Sequence, residues 1–577
     1  MNRLAWANML AALALCSALP SCYLGVDVSA EDAGDGGTGT DAEAGEGEGD
    51  GDGDGDGEES QPIESTRFAR LSHGQWENTV RDLFMLPEQT GFSSLFIGDP
   101  TSGKFDNDSD ALDVTPTLWA DYQRAAEQVA DYVTGDALLL AAIVPDDLPE
   151  DAGDPSVRAK AWIDGFGARA YRRPLTSAEV DAHYYVFVQG VDLYDELDAF
   201  TAGVHMCIQA FLQSPHFVYR VEASETVGDD GLIHLGGYEV ATRLSYMLWN
   251  SMPDQPLFEA AASGDLDDAA GVLVQAARMI DDPRAHDMVS DFHAQLLDTD
   301  HYLDQYKDPN FYPLFDAAIT GAAMQRETEL FVQSIVFDDQ AGLAELLTAP
   351  YTFVNQDTAY MYGLGDGFGP DHERVMLDAS QRSGILTQVG FLSSNAYPVD
   401  PDSIHRGVSV VRNLLCAPLP PPPDNVPPLP PTMGNTNRER VEAHTGDGTC
   451  GEGCHSGVIN PVGFAFEHYD AIGQWREQDN GFPINDTDTF YFDAEPKTYD
   501  GAPEFGHYAA ASTQVHACYV GHLLEYAYAR DVAAQEQAIV DELAARSRDG
   551  ALPIRALLLE LTQTQSFATR YPLEAGQ

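Results

Sequence analysis

The sequence predicts a mainly α protein: several helical subdomains with little β structure, placed behind a disordered acidic tether. Three observations predict it. Helix starts recur along the body, each marked by a capping side chain and followed by apolar residues at three- and four-residue spacing. Strand-like alternation is scarce and clearest near Phe490-Tyr-Phe492. A stretch near the N-terminus contains no large apolar residue at all.

The first segment, 1–21, reads as a lipoprotein signal peptide. Arg3 supplies a positive charge, and the apolar run from Leu4 to Leu19 falls short of the roughly 20 residues that span a bilayer. It ends Leu19-Pro-Ser-Cys22, a small residue directly before a cysteine, so Cys22 is the expected site of lipidation and the mature N-terminus. No later run approaches a membrane span. The lipid is thus the expected link to the membrane, with the protein facing the periplasm or the cell exterior.

Residues 22–62 form the tether. Between Glu31 and Ser60 the chain is almost wholly Asp, Glu, Gly, Ala and Thr, including Asp50-Gly-Asp-Gly-Asp-Gly-Asp56, with nothing apolar to offset the entropy of ordering. The chain carries 93 acidic against 30 basic residues, a formal net charge of -63, and 13 of the acids lie between Glu31 and Ser60. The body alone stays strongly negative. Nucleic acid and anionic membrane surfaces are therefore excluded as natural partners.

In the body, Thr115 precedes Pro116, with Leu118, Tyr122, Ala125, Val129 and Tyr132 on one helix face. Thr176-Ser-Ala-Glu179 is a capping box. Asp282-Pro-Arg opens another amphipathic helix through Met288, Phe292 and Leu296, and 238–249, 320–337 and 514–528 read the same way. Turn-rich stretches at 146–155 and 225–231 suggest boundaries. A proline run over 417–431 reads as a stiff polyproline strap.

Of seven cysteines, Cys16 leaves with the signal, Cys22 takes the lipid, and Cys207 sits in an apolar helical pattern as an inert buried thiol. Cys416, Cys450, Cys454 and Cys518 remain, in an oxidising compartment. The sharpest constellation is Cys450-Gly-Glu-Gly-Cys454-His455. Covalent c-type haem needs two thiols for its vinyl groups and a following histidine as proximal ligand, which Cys-x-x-Cys-His supplies. Here the spacer holds one residue more. A second axial ligand would be Met433 or one of His444, His468, His507, His516 and His522. Disulfides among Cys416, Cys450, Cys454 and Cys518 are the alternative, in one of three connectivities, and structural zinc on thiols and His455 a third that oxidation disfavours, so no metal is assigned.

Three other patterns fail on chemistry. Gly98-Asp-Pro-Thr-Ser-Gly-Lys104 begins like a phosphate loop, but Phe105 stands where a magnesium-binding hydroxyl belongs. Asp106-Asn-Asp-Ser-Asp110 begins like a calcium loop, but Ala111 occupies the sharp-turn position, which leaves a polar turn capping the next helix. Neither His-Glu-x-x-His nor Gly-x-Ser-x-Gly occurs.

The chain resembles a family of large secreted proteins abundant in planctomycetes and myxobacteria, built from five domains of unknown function in fixed order. The resemblance rests on Arg70-Leu-Ser-His-Gly-Gln-Trp-Glu-Asn-Thr-Val-Arg-Asp-Leu83 and Phe105-Asp-Asn-Asp-Ser-Asp-Ala-Leu112, then on Ala168-Arg-Ala-Tyr-Arg-Arg-Pro-Leu-Thr176. It continues at Gln213-Ser-Pro-His-Phe-Val-Tyr-Arg220, Ala241-Thr-Arg-Leu-Ser-Tyr-Met-Leu-Trp249, Asn413-Leu-Leu-Cys416, Asn460-Pro-Val-Gly-Phe464 and 518–530. It implies family domains at 63–135, 155–222, 232–365, 378–478 and 500–572. It also implies a mostly α, exported protein associated with cytochrome-c-like or carbohydrate-binding modules. The expectation is a haem-associated or redox protein of the envelope, with a redox partner or an extracellular polysaccharide; the alternative is a non-catalytic, disulfide-stapled scaffold for such a polymer or a protein partner. The family's fourth domain usually reads Cys-x-x-Cys-His, from which this chain departs by the inserted residue.

Overall fold

The computed structural model describes residues 67–100, 104–149, 153–420, 435–449 and 451–572. The lipidation site Cys22, the tether and Cys450 lie outside these residues, as does most of the proline strap. Helices dominate, and strands occur only as two-stranded antiparallel pairs among the described residues.

The helix starts follow local chemistry. Thr115 accepts from the Leu118 amide and caps Pro116–Thr134. The Thr176–Glu179 capping box opens Ser177–Leu193, and Asp282 caps Pro283–Leu297. Helix Thr513–Tyr528 begins at the Ser512 cap. The 320–337 pattern resolves into Ala317–Gln333 followed by a π-helical turn, Ser334–Asp338.

Most of the buried apolar residues gather into two cores. The first joins helices His73–Leu83, Pro116–Thr134, Pro155–Ala170 and Ala199–Leu212 through Trp76, Tyr122, Trp162, Phe166 and Phe211. The second gathers side chains from Leu235 to Phe567 and takes in Phe105 from the N-terminal part of the chain. A small satellite forms around Tyr302, Met324 and Ile472.

Strand pairs and buried arginines tie distant parts of the chain together. Phe68–Arg70 pairs with Tyr219–Val221, and Ile233–His234 pairs with Thr569–Arg570. Arg172 donates to the carbonyls of His216, Phe217 and Tyr219 at 2.7–2.9 Å. Arg243 does the same to Ser566, Phe567 and Thr569 at 2.9–3.1 Å. A guanidinium carries five fixed donors, so it satisfies several carbonyls at a chain reversal that no secondary structure could reach. The turn at 106–110 differs from the sequence expectation. Instead of capping Pro116–Thr134 it docks on the last third of the chain, where Asn107 donates to the Tyr526 carbonyl at 2.8 Å.

Candidate functional site

The expected Cys/Cys/His motif lies between helices Asn437–Thr445 and Asn460–Phe464. Glu452–Cys454 makes one helical turn, and His455–Ile459 follows as a π-helical turn. A π turn is the form a helix takes when it absorbs an additional residue. It directly follows the spacer that is one residue longer than Cys-x-x-Cys.

Cys454 is half-buried and carries no disulfide to a described cysteine. His455 is also half-buried. Its Nδ1 lies 3.3 Å from Asn460 Oδ1, and Asn460 is fixed in turn by donating to Thr445 Oγ1 at 3.0 Å. With Nδ1–H donating to that oxygen, Nε2 keeps its lone pair, the arrangement a metal-ligating histidine requires. Burial, helped by neighbouring His444, holds the imidazole below its ordinary pKa and so neutral. On this observation Cys454, His455 and Asn460 fit the proximal side of a haem.

The other candidate axial histidines differ in what holds them. His468 stacks on Trp475 at 4.2 Å with Nδ1 on the Arg476 carbonyl. His507 Nδ1 faces the Pro503 carbonyl at 2.6 Å, and both nitrogens of His516 are taken by Ser547 and Ala510. His444 is left as the histidine electrostatically close to His455. Met433 lies outside the described residues.

Cys416 and Cys518, 102 residues apart, form a disulfide. Of the three connectivities open to the four cysteines, this selects the one that leaves Cys450 and Cys454 to each other. Cys207 is buried among apolar side chains, and that burial pushes its thiol pKa well up, which makes it the inert thiol expected.

Around the disulfide stands a group of side chains that no motif or spacing joins. His522 Nε2 lies 3.2 Å from Cys416 Sγ and 3.5 Å from Cys518 Sγ. Lys104 Nζ approaches the same nitrogen at 3.1 Å and donates to Asn413 Oδ1 at 3.0 Å. Glu525 holds His522 Nδ1 at 2.9 Å. Burial, aided by the charge of Lys104, lowers the imidazole pKa although Glu525 opposes it. Burial also brings the Lys104 ammonium down to about 8. The two sulfurs and a nitrogen of His522 all lie within 4.8 Å of one another. That is metal-ligating geometry, but sulfurs bonded to each other are not thiolate ligands.

One turn further along the same helix, the seam becomes acidic. Tyr526 Oη donates to Asp291 at 2.5 Å, and Gln295 Nε2 donates to both Asp106 at 2.9 Å and Asp291 at 3.1 Å. Asn250 donates to Asp291 at 3.1 Å. Burial first, and then the charge of Asp291, raises Asp106 to about 6, and burial likewise raises Asp291. Two neighbouring carboxyls with raised pKa values hold a proton close to neutrality. Among so many acids, no spacing marked this pair in advance. The one advance signal was the turn motif containing Asp106.

Comparison with known proteins agrees with the order of these segments. Residues 69–135 match Protein of unknown function (DUF1587), 158–222 match DUF1595, and 235–364 match DUF1592. Residues 382–479, which contain the Cys/Cys/His motif, match Protein of unknown function (DUF1588), designated PSCyt3, and 496–567 match DUF1585. No curated protein and no solved structure matches the chain. With five models matched in unbroken succession over most of its body, the chain belongs to the multidomain family that this series defines.

Proposed function

We propose that this chain is an exported envelope protein, held to the membrane by lipid on Cys22, whose fourth segment carries a c-type haem on Cys450, Cys454 and His455. One observation carries the reading. The Cys416–Cys518 bond removes two of the four candidate cysteines, leaving Cys450 and Cys454 just before His455 in sequence, whose Nδ1 is held by Asn460 and whose Nε2 has no hydrogen-bond partner among the described residues. The cytochrome-like designation of the matching segment points the same way. Bound haem would supply one-electron transfer, with an electron partner at the envelope. The chain's own contribution is orientation: Asn460 fixes the His455 ring and tautomer, and Thr445 fixes Asn460.

A non-catalytic scaffold for an extracellular polymer is the second reading, favoured by the staple between the fourth and fifth segments. The test is a visible spectrum of the full chain exported from a host with haem-maturation machinery, combined with mass analysis of the 450–455 peptide. A Soret band and a haem adduct on that peptide are expected. A colourless protein with Cys450 bonded to Cys454 would establish the scaffold instead. Mass analysis of the N-terminal peptide tests the lipid on Cys22 in the same sample.

A further inference from the structure

We propose that the Cys416–Cys518 bond is a thiol–disulfide exchange site for an external dithiol, with Cys416 as the sulfur attacked and His522 as the group that receives the departing Cys518. The site uses none of Cys450, Cys454 and His455, so it stands independently of the haem.

Exposure sets the direction of attack. Cys416 is exposed, whereas Cys518 is 5% exposed, on the buried side of helix Thr513–Tyr528. An incoming thiolate therefore reaches Cys416 first. Cys416 also sits at φ 46°, the left-handed region that a residue with a Cβ adopts only under constraint.

The surroundings differ from those of a sealed structural disulfide. Exchange is fast when the leaving sulfur is a stabilised thiolate, and a neighbouring imidazole or ammonium provides that stabilisation. Here both are present: His522 Nε2 touches the two sulfurs, Lys104 Nζ touches His522 Nε2, and Glu525 holds Nδ1. Cys207, buried with its thiol on the His183 carbonyl and, among the described residues, no imidazole or ammonium against the sulfur, has the contrasting environment.

The step balances as follows in atoms and electrons. A thiolate of the dithiol bonds to Cys416 Sγ as the Cys416–Cys518 bond breaks, and its electron pair leaves on Cys518 Sγ. The Cys518 thiolate is protonated through His522 Nε2, which draws the proton from Lys104, and Lys104 regains from solvent the proton that the attacking thiol released. The second thiol of the reductant then attacks its own mixed disulfide, and its proton passes through solvent to the Cys416 thiolate that leaves. The net transfer is two electrons and two protons from the dithiol to the cysteine pair, one disulfide opening as another closes. His522 contacts the reacting atoms, Lys104 supplies the proton to it, and Glu525 is a positioning residue.

The experiment exposes the native full-length protein to dithiothreitol, and in a parallel arm to oxidised and reduced glutathione, without denaturant. Thiols are trapped with iodoacetamide and mapped by mass spectrometry. The bond is expected to open while the circular dichroism spectrum stays unchanged, with the glutathione adduct on Cys416. His522→Gln is expected to slow opening about tenfold. Lys104→Met is expected to slow it severalfold, with the circular dichroism spectrum unchanged in both variants. A bond that survives until the protein unfolds, an adduct on Cys518, or wild-type opening rates in both variants would overturn the proposal.

Discussion

The Tyr362 hydroxyl donates a hydrogen bond to the carboxyl of Glu327, which is fully buried while Tyr362 packs, partly buried, against the satellite core. Thr352 donates to the same carboxyl oxygen, and the other, Oε2, has no partner. Burial raises Glu327 from 4.5 to about 7.

The sign of the resulting pH dependence follows from linkage. Below pH 4.5 the carboxyl is protonated in the folded and unfolded chain alike, and it carries no penalty. From there to about 7 the unfolded chain has released a proton that the folded one keeps, so stability falls as pH rises. The loss reaches roughly 3 kcal/mol and levels off above the folded pKa. Glu327→Gln is expected to raise the melting temperature at pH 8 and leave it little changed at pH 4. Thermal unfolding of both proteins across that range measures this; parallel curves would refute it.

Arg406 is 1% exposed and donates to the carbonyls of Leu392, Phe466, Tyr469 and Asp470. Burial lowers its pKa to about 10, which leaves it charged at neutral pH. Arg406→Met removes the donors and strands the buried carbonyls, at a cost on the order of 4 kcal/mol. Urea unfolding should show the midpoint falling steeply, whereas Arg412→Met, at an exposed position on the same helix, should leave it in place.

Helix Ser403–Asn413 lies against Asn460–Phe464 so closely that a Cβ at Gly463 would stand 1.9 Å from the Ser403 carbonyl oxygen. Both contacting atoms are backbone, so no side chain can swing aside. Gly463→Ala is expected to cost more than about 2 kcal/mol and to disturb the neighbouring π turn. Gly457→Ala, with open space around its Cβ position, is the control.

Replacing Cys416 and Cys518 together by alanine frees a loop closed across 102 residues. The unfolded chain gains entropy, and about 4.7 kcal/mol of stability is lost by the loop-closure relation. Calorimetry of the double variant should show the melting temperature lowered with the helical spectrum retained at 25 °C. A melting temperature equal to that of the parent would show that the bond closes no loop the unfolded chain would otherwise open.

Much of the helical scaffold was legible because its determinants are local. Thr115 with Pro116, the Thr176–Glu179 box and Asp282 each act on amides within three residues, so the signal and the structure share one turn. The strand near Phe490 was legible for the same reason, its partner Glu495–Asp500 beginning just two residues past its end. The placement of the 106–110 turn was misread because its partner, Tyr526, is 419 residues away from Asn107.

Helix starts, most inward faces and the order of family segments could be read along the chain, although Tyr132, on the apolar face of its helix pattern, is half exposed. The bond between Cys416 and Cys518, the meeting of Lys104 with His522 beside it, and the joining of Phe105 to a core that reaches Phe567 arise from packing alone. The physical reason is range. A cap or an amphipathic face is set by neighbours along one helix and leaves a periodic trace, whereas a contact between residues hundreds of positions apart depends on how finished elements pack and leaves none.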